Sequence, residues 1–312
     1  MQADHQIEVK NVSKRYDQFV AVDDISFAVR RGTIFGLLGP NGAGKTTTIR
    51  MIMNIIVPDS GSISILGRPS TGTASRVIGY LPEERGLYRK MKVIEHLVFL
   101  GEIRGLAAKE SKKRSEEWLE RLSLTKWHSK KVEELSKGMQ QKLQFIGCVI
   151  HEPEVLILDE PFSGLDPVNA RTFKDLFMEM KQKGKTLVLS THVMEQAEKL
   201  CDEIGLINRS KMVLNGGMSE IKSRYSGNRL VIQGRGDENH MRAIPGVLAV
   251  HGSNGALEVE LAPDLSAAQF LRSATSMYDI ESAVPHEVSL DEIFVQVVGG
   301  PVEGLGQDEV TE

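Results

Sequence analysis

The sequence predicts an α/β protein with a mostly parallel central sheet, followed by a small α+β domain, on three observations. Two apolar runs, Val155-Leu156-Ile157-Leu158 and Thr186-Leu187-Val188-Leu189-Ser190, have the length and branching of buried strands. The apolar run ending at Leu38 passes through a glycine-rich turn into a helix that begins at Lys45. Beyond about residue 224 the order strand, helix, strand, strand, helix, strand is the split-βαβ pattern of a ferredoxin-like domain.

Ahead of the glycine-rich turn the chain reads as short strands. Ile7-Glu8-Val9 alternates, Phe19-Val20-Ala21-Val22 and Ile25-Ser26-Phe27-Ala28-Val29 follow, and Arg31-Gly32 turns the chain into a strand over 33–38. A helix is expected over 45–56, ended by Pro58-Asp59-Ser60-Gly61, with a further strand over 62–66. Residues 93–127 read as helical, and the alternating acids and bases of 109–120 mark a solvated helix face. In the last third, strands are expected at 229–233, 247–251, 256–261 and 279–284, and helices at 238–244 and 266–278. A final helix over 289–297 opens with the capping-box spacing Ser289-x-x-Glu292. From Gly299 onward the chain is glycine- and acid-rich, the composition of a flexible tail. The expected division is 1–223, with a helical subdomain at about 89–150, then 224–298 and a tail at 299–312.

The 312 residues are 41% hydrophobic and 26% charged, which excludes collagen, coiled coil and wholesale disorder. Lys and Arg number 38 against 42 Asp and Glu, a net charge of −4, so no whole-chain field favours a nucleic-acid partner. Two cysteines, Cys148 and Cys201, lack CxxC spacing and point to a reducing compartment rather than a disulfide framework. No apolar run approaches the ~20 residues that span a bilayer, and no secretory signal is visible, so a soluble chain is expected.

Gly39-Pro40-Asn41-Gly42-Ala43-Gly44-Lys45-Thr46 matches GxxxxGK[ST] at every position and sits between a strand and a helix, the context that gives the motif its meaning. Such glycines let backbone N–H groups curl around a phosphate, and the helix N-terminus adds its positive dipole end. Lys45 is placed to reach the β- and γ-phosphates, the Thr46 hydroxyl to ligate Mg²⁺, and Thr47 to add a side-chain contact. At the tip of the apolar run 155–158, Asp159 can hold Mg²⁺ or its water, and Glu160 can polarise an attacking water. Ser136-Lys137-Gly138 opens a helix and offers a hydroxyl and N–H donors, a second anion site. Ser163-Gly164-Leu165-Asp166 follows, and His192 terminates the strand of 186–191, in the right order to touch a γ-phosphate.

Together these residues resemble the ATP-binding cassette ATPases: phosphate loop at Gly39, glutamine-loop position at Glu83, signature at Leu135, Walker B at Asp159, D-loop at Asp166 and switch histidine at His192. The resemblance covers about residues 7–218. It implies a RecA-like P-loop core with an antiparallel β subdomain and a helical subdomain, and ATP hydrolysis with Mg²⁺. It also implies a head-to-tail dimer with ATP held between residues 39–47 of one subunit and 136–138 of the other, Tyr16 stacking on the adenine. Three positions depart from the family pattern. Glu83 stands where glutamine is usual, and a carboxylate there can still approach Mg²⁺. Lys137 and Met139 replace glycine and glutamine of the signature, while Ser136 and Gly138, its phosphate-contacting residues, remain.

The interval from Lys45 to Asp159 leaves room for a helical subdomain but not for the long coiled-coil insertion of chromosome-maintenance cassettes, and the single motif set disfavours tandem soluble cassettes. Leu81-Pro82-Glu83-Glu84-Arg85-Gly86-Leu87-Tyr88 and Ser289-Leu290-Asp291-Glu292-Ile293-Phe294 carry a narrower resemblance, to ATP-binding subunits of bacterial exporters of drugs, antibiotics, lantibiotics or sodium. That resemblance implies a peripheral subunit on the cytoplasmic face of the membrane, working with a second nucleotide-binding subunit, identical or different. A membrane-spanning permease would make the cargo site and dock a short helix on residues 85–91 and the helical subdomain. For the C-terminal domain, dimerisation or regulation stands beside plain packing. The same motifs also allow a soluble regulatory ATPase that gates a non-transport partner.

Overall fold

The computed structural model describes residues 5–70, 77–84, 86–253 and 256–299. The chain forms two compact units that divide between Met218 and Ser219. The change in composition comes slightly later, after 223, because the helix Met218–Ser226 runs through the division without a break.

In the first unit, β1 (His5–Tyr16) and β2 (Phe19–Arg30) pair as a long antiparallel hairpin. The two short strands expected over 19–29 are this one strand. Asp24 takes a left-handed φ of 49°, and the register slips between Val12 and Lys14, so a pair of aspartates that reads as a turn is absorbed as a bulge. β3 (Ile34–Leu38) leads through the glycine-rich loop into α1 (Lys45–Ile52). α1 ends well before the proline that was expected to stop it, because Asn54 adopts φ 54°, a left-handed conformation that asparagine tolerates and that closes a helix. β4 (Ser60–Ile65) and β5 (Arg68–Pro69) complete an antiparallel sheet in the order β2-β1-β4-β5.

A second, six-stranded sheet has the order β10-β9-β3-β8-β7-β6. Its members β6 (Ile78–Leu81), β7 (Val155–Asp159), β8 (Thr186–Thr191) and β9 (Glu203–Asn208) run parallel to β3, and β10 (Lys211–Gly217) closes one edge antiparallel. Every residue of β3, β7 and β8 is buried, which is why these strands read as unbroken apolar runs. The register sets Leu38 beside Thr191 and Ser190 beside Asp159, so the C-terminal ends of the three central strands emerge at one edge. Open parallel sheets bind ligands at that edge.

The helices of this unit are α2 (Val93–Ile103), α3 (Ala108–Arg121), α4 (Lys137–Val149), α5 (Pro167–Gln182) and α6 (Met194–Leu200). The helical stretch expected over 93–127 is therefore two helices and a short 3-10 turn, Thr125–Trp127. Phe145 of α4 lies 5.4 and 6.0 Å, ring centre to ring centre, from Phe173 and Phe177 of α5, and 5.9 Å from Trp118 of α3. Phe177 in turn lies 5.5 Å from Phe162, two residues past Glu160. Such pairs add about 1 kcal/mol each to the burial of their rings.

The second unit contains the rest of α7 (Met218–Ser226), then β11 (Arg229–Arg235), α8 (Glu238–Arg242), β12 (Val247–Ser253), β13 (Ala256–Leu261), α9 (Ala267–Ala274), β14 (Asp279–Pro285) and α10 (Leu290–Val298). Its sheet is antiparallel in the order β12-β13-β11-β14, the ferredoxin-like arrangement. Alternation along β13 sends Leu257, Val259 and Leu261 into a core with Leu230, Ile232 and Phe270. Ser289 caps α10 by accepting from Glu292 N–H. The expected tail lies, from residue 300 onward, outside the described residues, as does Arg85. Among the described residues no helix is long and apolar enough to cross a membrane.

His96 on α2 is fully buried, and among the described residues neither of its ring nitrogens meets a hydrogen-bond partner. Burial pushes its pKa down to about 4, and does the same to His151. An unfolded histidine titrates near 6.5, so below that pH the unfolded chain takes up protons that the folded chain refuses. The stability owed to these neutral rings is whole above about pH 6.5 and is lost on descent towards about pH 4. His96→Leu is expected to shrink the fall in melting temperature between pH 7 and pH 5, measured by thermal unfolding at both.

Candidate nucleotide site

The loop between β3 and α1 depends on glycine at two places. Gly39 and Gly44 have φ of 143° and 113°, and a Cβ on either would lie 2.0 Å from the Ile207 carbonyl oxygen or 2.5 Å from that of Ala21. Lys45, the first residue of α1, is 6% exposed, and its ammonium turns back over the loop. Nζ donates to the carbonyls of Gly39 at 2.7 Å and Pro40 at 3.2 Å and lies 3.6 Å from Glu160 Oε1. Burial holds its pKa below the ordinary lysine value, against the pull of Glu160 and Asp159. A buried cation at a helix N-terminus, whose first N–H groups have no intrahelical carbonyl to bond, suits a polyanion.

Asp159 ends β7 and is buried. Its Oδ1 accepts from the Ser190 hydroxyl and lies 3.4 Å from Thr46 Oγ1. Its pKa is raised, chiefly by burial, with the Ser190 and Thr46 hydroxyls pulling the other way. Glu160 follows in a left-handed conformation, φ 45°, and its N–H donates to the carbonyl and the hydroxyl of Ser190. That conformation turns its carboxylate back towards the cluster, 3.0 Å from His192 Nδ1. Lys45, Thr46, Asp159, Glu160 and His192 thus converge at the strand-end edge. An acidic pair beside a hydroxyl and a helix N-terminus provides oxygen ligands of the kind Mg²⁺ takes. Glu83, on the exposed turn after β6, lies close enough for its charge to bear on Lys45.

The remaining expected residues lie along the loop around Lys45 or apart from this cluster. Asn41 and Gly42 are exposed at the loop tip, Ala43 is buried, and Thr47 is half-buried in the first turn of α1. Pro40 accepts from Ala43 N–H at 3.2 Å. Tyr16 is exposed at the hairpin turn, paired with Phe19. Ser136 is the N-cap of α4, accepting from Met139 N–H, and Asp166 is the N-cap of α5, accepting from Val168 and Asn169 N–H. Asn169 Nδ2 donates to Asp166 Oδ2 and would sit 2.8 Å from a Cβ on Gly138, so Gly138 and Asp166 are neighbours. Among the described residues no hydrogen bond joins Ser136, Gly138 or Asp166 to residues 39–47.

Three residues of the arrangement are not among those singled out in the sequence. Ser190 bridges Asp159 and the Glu160 backbone, and the signal for it is a hydroxyl two places before His192 in an apolar strand. Gln141 and Gln144, buried on α4, donate to Pro161 O and to Pro82 and Glu84 O. Two amides one turn apart on an otherwise apolar helix face are the trace they leave in the sequence.

The chain matches known protein families in both of its units. The family described as "ABC transporter" matches residues 22–163, and "ATP-binding protein DrrA1-3-like, C-terminal domain" matches 216–298. The uncharacterized ABC transporter ATP-binding protein YhaQ of Bacillus subtilis (strain 168) is 40% identical over 95% of this chain and 100% of its own. The linearmycin resistance ATP-binding protein LnrL of the same organism is 36% identical over 93% of this chain and 94% of its own. A solved structure titled "Structure of ATP binding subunit of ABC transporter" superposes with a TM-score of 0.66 at 33% identity, covering 70% of this chain and 93% of that one. The chain belongs to the ATP-binding subunits of ABC transporters, ATPases that act with a membrane partner. Membership implies ATP and Mg²⁺ as ligands and a permease as partner.

Asp159 keeps a buried charge that the folded chain disfavours, since its pKa is raised. Asp159→Asn retains an acceptor for Ser190 and Thr46 and removes that charge. It is expected to raise the melting temperature of the nucleotide-free protein by a few degrees while lowering Mg²⁺-dependent ATP hydrolysis by about two orders of magnitude. Calorimetry and a phosphate-release assay check the two halves.

Proposed function

We propose that residues 1–223 form the nucleotide-binding domain of an exporter and that the cluster at the strand ends is its hydrolytic site. The observation that carries this reading is the convergence of Lys45, Thr46, Asp159, Glu160 and His192 on one edge of the parallel sheet. Residues 39–47 and the Lys45 ammonium hold the phosphates of ATP, and Tyr16 takes the adenine. Thr46 and Asp159 hold Mg²⁺, with Glu83 near it in place of an amide. Bound there, Mg²⁺ neutralises charge on the phosphate oxygens. Glu160 orients the attacking water and receives its proton, and His192, 3.0 Å from that carboxylate, holds it and meets the γ-phosphate. No covalent intermediate on the chain is needed, since positioning and charge stabilisation suffice for phosphoryl transfer.

Ser136, Gly138 and Asp166 serve the nucleotide of a second subunit, arranged head to tail. The exposed N-terminus of α4, with the Ser136 hydroxyl and the first amide donors of the helix, is the anion site for such a partner, and Asp166 stands beside it through Asn169. Closure of this dimer on ATP drives a membrane-spanning permease from the cytoplasmic face, and residues 86–91 with α2 receive it, where Tyr88 and Phe99 stand exposed with ring centres 5.4 Å apart. The direction of transport is outward, by analogy with LnrL, whose name records linearmycin resistance. Residues 224–298 serve as the accessory domain of this subunit.

Glu160→Gln is expected to lower turnover at least about 100-fold while ATP still binds, and to accumulate a dimer in ATP on size-exclusion chromatography. Normal turnover in this variant would remove Glu160 from the role given to it. Copurification of the tagged chain from solubilised membranes is expected to yield a polytopic protein in stoichiometric amount. Recovery with a soluble companion only would point to a regulatory ATPase.

A further inference from the structure

α4 touches more of the site than its first residues suggest. Gln141 and Gln144 lie one turn apart on its buried face. The Gln144 amide donates to both Pro82 O, at 3.1 Å, and Glu84 O, at 3.3 Å, the two carbonyls that flank Glu83. Both of its hydrogens are thereby used, and the Glu83 turn cannot swing away without leaving a buried amide unpaired. Gln141 donates to Pro161 O at 2.9 Å, one residue past Glu160. The Glu160 N–H is already held by Ser190, so the Glu160–Pro161 unit is gripped from both sides. At its other end the same helix begins with Ser136 and Gly138, and Gly138 abuts Asn169, which is tied to Asp166.

We infer that Gln141 and Gln144 are positioning residues that transmit engagement of Ser136 and Gly138 by a second subunit to the Glu83 turn and to Glu160 of the same chain. The inference rests on the head-to-tail dimer proposed above. A helical span of about 9 Å separates Gly138 from Gln144, and no residue between them can break the helix. A displacement of the helix N-terminus therefore moves the carbonyls beside the candidate Mg²⁺ ligand and beside the water-orienting carboxylate together. Each chain's hydrolytic geometry then depends on whether its signature is occupied, which couples the two nucleotides of a dimer. Without the amides, each turn settles independently of α4.

The test uses the full chain carrying Gln144→Met or Gln141→Met, which keep the volume and remove the donor. Steady-state hydrolysis is followed against ATP and against Mg²⁺, and binding of a fluorescent ATP analogue is measured without Mg²⁺. Gln144→Met is expected to raise the half-saturating Mg²⁺ concentration about tenfold and to bring the Hill coefficient for ATP to 1, with analogue binding unchanged. Gln141→Met is expected to lower kcat about tenfold and flatten the ATP dependence, with the Mg²⁺ requirement unchanged. Gln144→His, which retains an N–H donor, is expected to recover part of the loss, and it decides the matter by the same titrations if the methionine variant fails to fold. Folded variants with wild-type Mg²⁺ dependence, kcat and Hill coefficient would overturn the inference. Size-exclusion of the Glu160→Gln chain in ATP separates the two levels. A dimer there with indifferent glutamine variants sinks only the coupling, and no dimer sinks both.

Discussion

The buried Lys45 ammonium is the constraint around which the first unit is arranged. A buried cation must be surrounded by oxygen, and the oxygens nearest to it come from its own loop and from Glu160. For Gly39 and Pro40 to present their carbonyls, the loop has to curl tightly against Ile207 and Ala21, which only glycine at positions 39 and 44 permits. For Glu160 to approach, β7 must end level with β3, and β8 lies between them in the sheet. Ser190 occupies that intervening strand and ties the Asp159 carboxylate to the Glu160 backbone. A phosphate would exchange the carbonyl oxygens around Lys45 for its own, at a helix end already short of partners for its N–H groups.

Much of this was legible in the chain because its signals are local. β3, β7 and β8 are buried on both faces, so their apolar runs announce strands, and the glycine-lysine-threonine loop between β3 and α1 follows a fixed spacing. The ferredoxin-like unit was readable from alternation and from Ser289 as a helix cap, while Ser266, expected inside a helix, proved to be a cap as well. What stayed hidden depends on distant partners. β9 begins with a glutamate paired to Arg30 and contains Gly205, so its period is blurred although it is buried beside β3. The continuity of β2 through Asp23-Asp24 requires the bulge that only pairing with β1 supplies. Ser190, Gln141 and Gln144 are ordinary residues locally, and their importance comes from carbonyls and carboxylates at least 20 positions away.

The candidate site residues fall into two sets with different physical character. The strand-end set is inward, half-buried and knit by ion pairs, with charges whose pKa values are displaced by burial. The helix-cap set, Ser136 and Asp166, is exposed and held by short-range capping bonds; Asp166 has its pKa lowered by the backbone and side-chain amides of Asn169. A site that must close on a ligand benefits from one rigid half and one that water can still reach.

The aromatic cluster of Phe145, Phe173, Phe177 and Trp118 reaches the site through Phe162, two residues beyond Glu160. The turn carrying the Glu160 carboxylate is therefore anchored in the same packing that holds α3, α4 and α5 together. Heat tolerance and turnover share a root here, and a lineage adapting to a new temperature cannot retune one through these rings without touching the other. Adaptation that spares the chemistry has to be sought elsewhere, in surfaces such as the charged outer face of α3.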